Sequence, residues 1–135
     1  MKKGLLRLLL TAILAIAMPG HAATPASWSA TANGLTIAIP GRLYQSEVLA
    51  PPDAVSALNH RYGKVSWEFH LPPGDSLKAW LCRADDCIPL NRGAGQTTAF
   101  LNKDAAKNLH FRFQLAPGAT EAIAVTGLQV LVNLR

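Results

Sequence analysis

Cys82 and Cys87 are the only cysteines in the 135-residue chain, and they enclose Arg83-Ala84-Asp85-Asp86 between the apolar stretches LKAWL and IPL. Thiols this close in sequence can form a disulfide, half of a metal site or a redox pair, and the compartment decides among them. A thioredoxin-like redox site has two intervening residues at a helix start, whereas four stand here between strand-like flanks. Zinc would need two further ligands, and His60, His70 and His110 show no metal-type spacing to one another or to the cysteines. His70 and His110, on neighbouring strands, would bring two imidazoles near Glu68 and Arg112, an arrangement able to move protons or hold a metal. No third ligand or nucleophile motif accompanies them, so they read as surface polar residues. Asp85 and Asp86 diverge in a tight turn and, with Arg83, solvate the loop rather than form a catalytic pair. No Gly-x-Ser-x-Gly elbow or His-Glu-x-x-His helix is present, and GAGQTT at 93–98 lacks the lysine of a phosphate loop. The chain reads as non-enzymatic, with no cofactor and no metal.

The elements that must carry these residues alternate with period two. Leu35, Ile37 and Ile39 alternate with Thr36 and Ala38; Val65, Trp67, Phe69 and Leu71 with Ser66, Glu68 and His70; Leu109, Phe111, Phe113 and Leu115 with His110, Arg112 and Gln114. Strict alternation puts one set on a buried sheet face and the other on a polar face, as in half-buried antiparallel strands. Turn chemistry ends each run: Asn33-Gly34, Pro40-Gly41, Pro51-Pro52-Asp53, Pro72-Pro73-Gly74-Asp75, Gly93-Ala94-Gly95 and Pro117-Gly118. Further strands are placed at 27–32, 77–82, 87–90, 97–101 and 123–134. Seven or eight short strands predict an all-β, single-domain antiparallel β-sandwich or small barrel. Segment 42–63 fits neither period and reads as a long excursion with one edge strand or a short helix around 53–59; 102–108 has room for one helical turn capped by Asn102 or Asp104.

Within that frame the cysteines flank a four-residue hairpin loop and face each other within disulfide reach. Closing so short a ring removes about 2 kcal/mol of chain entropy, so the bond fixes register more than it holds the fold. Trp80 shares the side of Lys78 and Cys82, opposite Leu77, Ala79 and Leu81. It either packs over the disulfide as a second layer or presents an aromatic outward to a sugar ring or a partner side chain. The terminal run 127–135 reads as an interior strand locking the domain shut; at an edge, ending in Arg135, it would instead offer its backbone to a partner. Trp80, Arg83 and Arg135 are therefore the candidate partner-binding residues.

The compartment follows from the first residues. Met1-Lys2-Lys3 is basic, 5–18 is apolar apart from Arg7 and Thr11, and His21-Ala22 follows Pro19-Gly20. This is a secretory signal peptide, residues 1–22, cut between Ala22 and Ala23; its uncharged stretch is too short to anchor in a membrane. Export favours a structural disulfide between Cys82 and Cys87. Lys2, Lys3 and Arg7 leave with the leader, so the formal +5 of the whole chain drops to +2, with ten basic residues against the same eight acidic ones. Without a basic stripe interleaved with aromatics, nucleic acid and polybasic membrane binding lose their support. Residues 23–135 suffice for one domain with a modest core.

Several segments together resemble the flagellar FlhE family of periplasmic proteins of Gram-negative bacteria: Trp28 followed by GLTI at 34–37; WEFHL at 67–71 before a proline turn; the hairpin LCRADDCIPL; GAGQTTAF ending at Phe100; Leu109-His110-Phe111 with Pro117-Gly118; and the ending VNLR. The resemblance implies a small β-sandwich, non-enzymatic, exported to the periplasm and working with flagellar export or periplasmic flagellar proteins. It further implies chaperone-like assistance or prevention of proton leakage through the export gate. An exported sandwich with an outward Trp80 also fits a glycan- or peptidoglycan-binding module, the alternative reading.

Overall fold

The longest alternating run becomes the longest strand. Ile123–Leu134 stays extended for 12 residues, burying Ile123, Val125, Leu128, Val130, Val132 and Leu134 and exposing the residues between. The computed structural model describes residues 26–53 and 59–135. The predicted leader with its cleavage between Ala22 and Ala23 lies outside the described residues, as does most of the predicted helix at 53–59.

Nine strands, and no helix, occur among the described residues: β1 (Ser27–Ala32), β2 (Leu35–Ile37), β3 (Tyr44–Gln45), β4 (Tyr62–His70), β5 (Lys78–Arg83), β6 (Asp86–Leu90), β7 (Ala94–Thr97), β8 (Leu109–Gln114) and β9 (Ile123–Leu134). They form two antiparallel sheets. The first runs β1-β9-β4-β7 with β2 also on β9; the second runs β3-β8-β5-β6. The C-terminal strand is thus interior to its sheet, which removes the edge-strand alternative.

Between the sheets lies one apolar core. Phe69 from the first sheet meets Phe111 and Phe113 from the second edge-on, with ring centroids 6.0 and 5.4 Å apart, while Phe111 and Phe113 stack at 5.9 Å. Tyr62 and Phe100 extend this layer at a centroid distance of 6.1 Å. The Tyr62 hydroxyl donates to the Lys107 carbonyl, and burial pushes its pKa up to about 12, against the lowering effect of Arg83.

Four sequence expectations change. Asn33-Gly34 does not reverse the chain: Ala32 sits opposite Leu128 and Leu35 opposite Val125, so β1 and β2 are one arm along β9 with unbroken register. The backbone freed at this break is taken up by the segment after β3, since Glu47 accepts from Asn33 N and Nδ2 at 3.2 and 2.9 Å. The strand expected at 97–101 is displaced to Ala94–Thr97, and Phe100 drops from the following turn into the core. Gly95 makes that strand possible beside Trp67, because a Cβ there would stand 2.6 Å from the indole. The residues 102–108 form turns rather than a helix, with Asp104 Oδ1 accepting from Ala106 N at 2.9 Å. Lastly, the hairpin loop holds two residues, Ala84 and Asp85, because Arg83 still pairs with Asp86 one step beyond the cysteines.

Trp67, expected in the core, is half-buried and seals one side of the sandwich. Its Nε1 donates to the Arg92 carbonyl at 3.1 Å, bridging β4 to the β6–β7 connection.

Candidate functional site

Alternation along β5 and β8 sends Ala79, Leu81, Leu109, Phe111 and Phe113 inward. Their neighbours Lys78, Trp80, Cys82, His110, Arg112 and Gln114 therefore share the outer face of the second sheet. Register places them in rows. Gln45, Arg112, Trp80 and Pro89 line up across β3, β8, β5 and β6, a span of about 14 Å at ordinary strand spacing. One row along, His110 stands beside Cys82 and Cys82 beside Cys87.

Cys82 and Cys87 form a disulfide between directly opposed residues, with Cα atoms 4.0 Å apart. One pair further on, Ala84 turns the chain at φ 50°, a left-handed conformation that costs an alanine roughly 1 kcal/mol. The staple and the flanking contacts hold it there: Arg83 Nε donates to the Asp104 carbonyl at 3.3 Å, and Asp86 pairs with Lys103 at 3.1 Å.

Arg112 organises the long row. With the Gln45 amide oxygen turned toward it, that oxygen accepts from Nη2 and Nε at 3.2 and 3.1 Å. Asp85, at the hairpin tip, comes no nearer than 3.9 Å. The outer face of the first sheet is different in kind: Ser27, Ser29, Thr31, Gln129 and Asn133 dominate it, with Leu131 the exposed apolar exception.

His70 and His110 do not meet, because β4 and β8 belong to different sheets. His70 Nε2 instead pairs with Glu68 on its own strand at 3.0 Å, in solvent. Among the described residues no group of three or more His, Cys, Asp or Glu could hold a metal, and no helix is long and apolar enough to cross a membrane. Of the candidates read from sequence, Trp80 lies on the outer face, half-buried between Arg112 and Pro89. Arg83 has the opposite parity and faces the end of the sandwich, while Arg135 exchanges backbone hydrogen bonds with Arg61 at 2.7 and 2.8 Å. Nothing in the sequence alone marks Arg112, Gln45 and Pro89 as binding residues; parity gives Arg112 its outward direction, but only the β8–β5 register shows that it flanks Trp80.

His110 carries a pH signature. Its Nε2 is buried without a hydrogen-bond partner among the described residues, and its pKa is lowered by desolvation first and by Arg112 second, with Asp85 opposing. The unfolded chain takes up this proton near about pH 6.5, while the folded chain resists it until lower pH. Its stabilising effect is therefore complete above that value and declines as the pH falls toward the folded pKa. Thermal melts from about pH 7 to about pH 5 are expected to show a steeper loss of Tm for the native chain than for His110→Gln. Equal slopes would remove His110 as the cause.

Comparison with known proteins adds a consistent neighbourhood. The family model described as flagellar protein FlhE matches residues 34–135. The flagellar protein FlhE of Yersinia enterocolitica is 30% identical over 122 residues, 87% of each chain. That of Escherichia coli strain K12 is 30% identical over 131 residues, 93% of this chain and 98% of the other. A crystal structure of FLHE superposes with a TM-score of 0.71 at 25% identity, covering 82% of this chain and 96% of that one.

Proposed function

Because the chain belongs to the FlhE family of flagellar proteins, we propose that it is an accessory protein of the bacterial flagellum that acts by protein contact in the periplasm. The family match over most of the chain is the observation that carries this reading. Two features support it: the leader-like start, and a disulfide of the kind that persists in oxidising compartments. Its task is chaperone-like assistance to periplasmic flagellar parts or limitation of proton leakage through the export gate. A sheet face that carries Trp80 between Arg112 and Lys78 suits protein contact.

The test is deletion of the gene in its own host. Swarming is expected to fail, or the cytoplasm to acidify through the export gate; the full chain restores the phenotype, and a chain lacking residues 1–22 does not. Normal motility, normal swarming and unchanged proton leak in the deletion strain would overturn the reading.

A further inference from the structure

The outer face of the second sheet carries two cationic side chains, Lys78 and Arg112, on either side of Trp80. Arg112 commits Nε and Nη2 to Gln45, leaving Nη1 without a partner among the described residues. Lys78, one row away opposite Gln114, has no ion pair, and the Trp80 indole N–H has no acceptor among the described residues. Three acidic side chains are engaged elsewhere: Glu47 holds Asn33, Glu68 holds His70 and Asp86 holds Lys103. Asp85 approaches Arg112 from the exposed hairpin tip at 3.9 Å.

From this charge pattern we infer that the row Gln45, Arg112, Trp80 and Pro89, with Lys78 beside it, is the docking face for an acidic segment of a partner protein. The inference rests on the protein-contact reading above and names the chemistry of the partner. A carboxylate takes the free side of the Arg112 guanidinium, where a charge-assisted hydrogen bond is stronger than a neutral one. A second carboxylate reaches Lys78, and the Trp80 ring, braced by Pro89, gives the segment a flat apolar surface. Neutral sugar fits less well, because it brings no negative charge to meet Arg112 and Lys78. Pro89 also lacks an N–H on the edge strand β6, which disfavours strand addition there and leaves the face itself as the contact.

The test titrates the purified protein with a synthetic Glu-rich peptide containing one Tyr, and with the same peptide carrying Gln for Glu, while N–H NMR spectra are recorded. The Glu peptide is expected to shift the Trp80 indole resonance and those of β5 and β8, with an affinity that falls as ionic strength rises. Arg112→Gln and Lys78→Gln should each weaken binding, Arg112→Gln by about tenfold or more. Lys64→Gln, on the other sheet, should leave it unchanged, and the variants' Tm values show that they are folded. Four results would overturn the proposal: no shifts with the Glu peptide, equal binding of the Gln peptide, no effect of Arg112→Gln in a folded protein, or tighter binding of chitohexaose or a heparin oligosaccharide than of the peptide. The deletion phenotype is independent of all four, so a failed docking face leaves the flagellar reading standing, and an absent phenotype leaves the face standing.

Discussion

Phe111→Ala is expected to lower the unfolding free energy by about 3–5 kcal/mol, a large share of what a domain of this size has to lose. The ring is fully buried, stacks on Phe113 within its own strand and meets Phe69 of the opposite sheet edge-on. Its removal opens a cavity where the two sheets touch, and the rigid ladders on either side cannot close over it. Denaturant titration measures the loss as a lower midpoint at unchanged slope. A cost below about 1.5 kcal/mol, the range of volume-conserving swaps, would mean that the aromatic trio does not hold the sheets together.

The second large effect is on the backbone alone. Leu131 points to solvent from the middle of β9, opposite Ser29 on one side and Ser66 on the other. Leu131→Thr should therefore change stability by no more than about 0.5 kcal/mol. Leu131→Pro should cost on the order of 3 kcal/mol: it orphans a ladder carbonyl, worth about 1–3 kcal/mol, and drives a ring into the neighbouring strand. Native Pro89 shows where proline is tolerated, on the edge strand β6. Circular dichroism melts of the two variants separate the cases. A Leu131→Pro protein as stable as the Leu131→Thr protein would contradict an interior β9.

Alternation made most strand positions legible, and β1 and β9 begin and end where the pattern does. Partners were not legible, because a period-two run states which residues face the core and says nothing of which strand lies alongside. That is why the sequence allows His70 and His110 to be neighbours, and why it marks Arg112 as polar without showing that it flanks Trp80. β7 lies earlier than the sequence suggests because Ala94 and Gly95 lack strand propensity, and their place is set by the Trp67 ring that Gly95 admits. Phe100 and Leu101 suggested a strand through their hydrophobicity, yet Phe100 is buried from a turn. Asn33-Gly34 carries a strong hairpin signal, but here the Glu47 carboxylate, from the segment after β3, binds the interrupted backbone and the chain runs straight on.

β9 is both last in sequence and interior to its sheet. Every pairing in the first sheet except β4 with β7 involves it, whereas the second sheet has all of its strands by residue 114. A chain delivered N-terminus first can therefore close the Cys82–Cys87 hairpin and assemble one layer while the other waits for the final dozen residues. Until they arrive, Phe111 and Phe113 face only the β4–β7 pair, and the core lacks the six side chains that β9 buries. Arrival of β9 is the event that closes the core, and a truncation within Ile123–Leu134 should leave the first sheet unassembled.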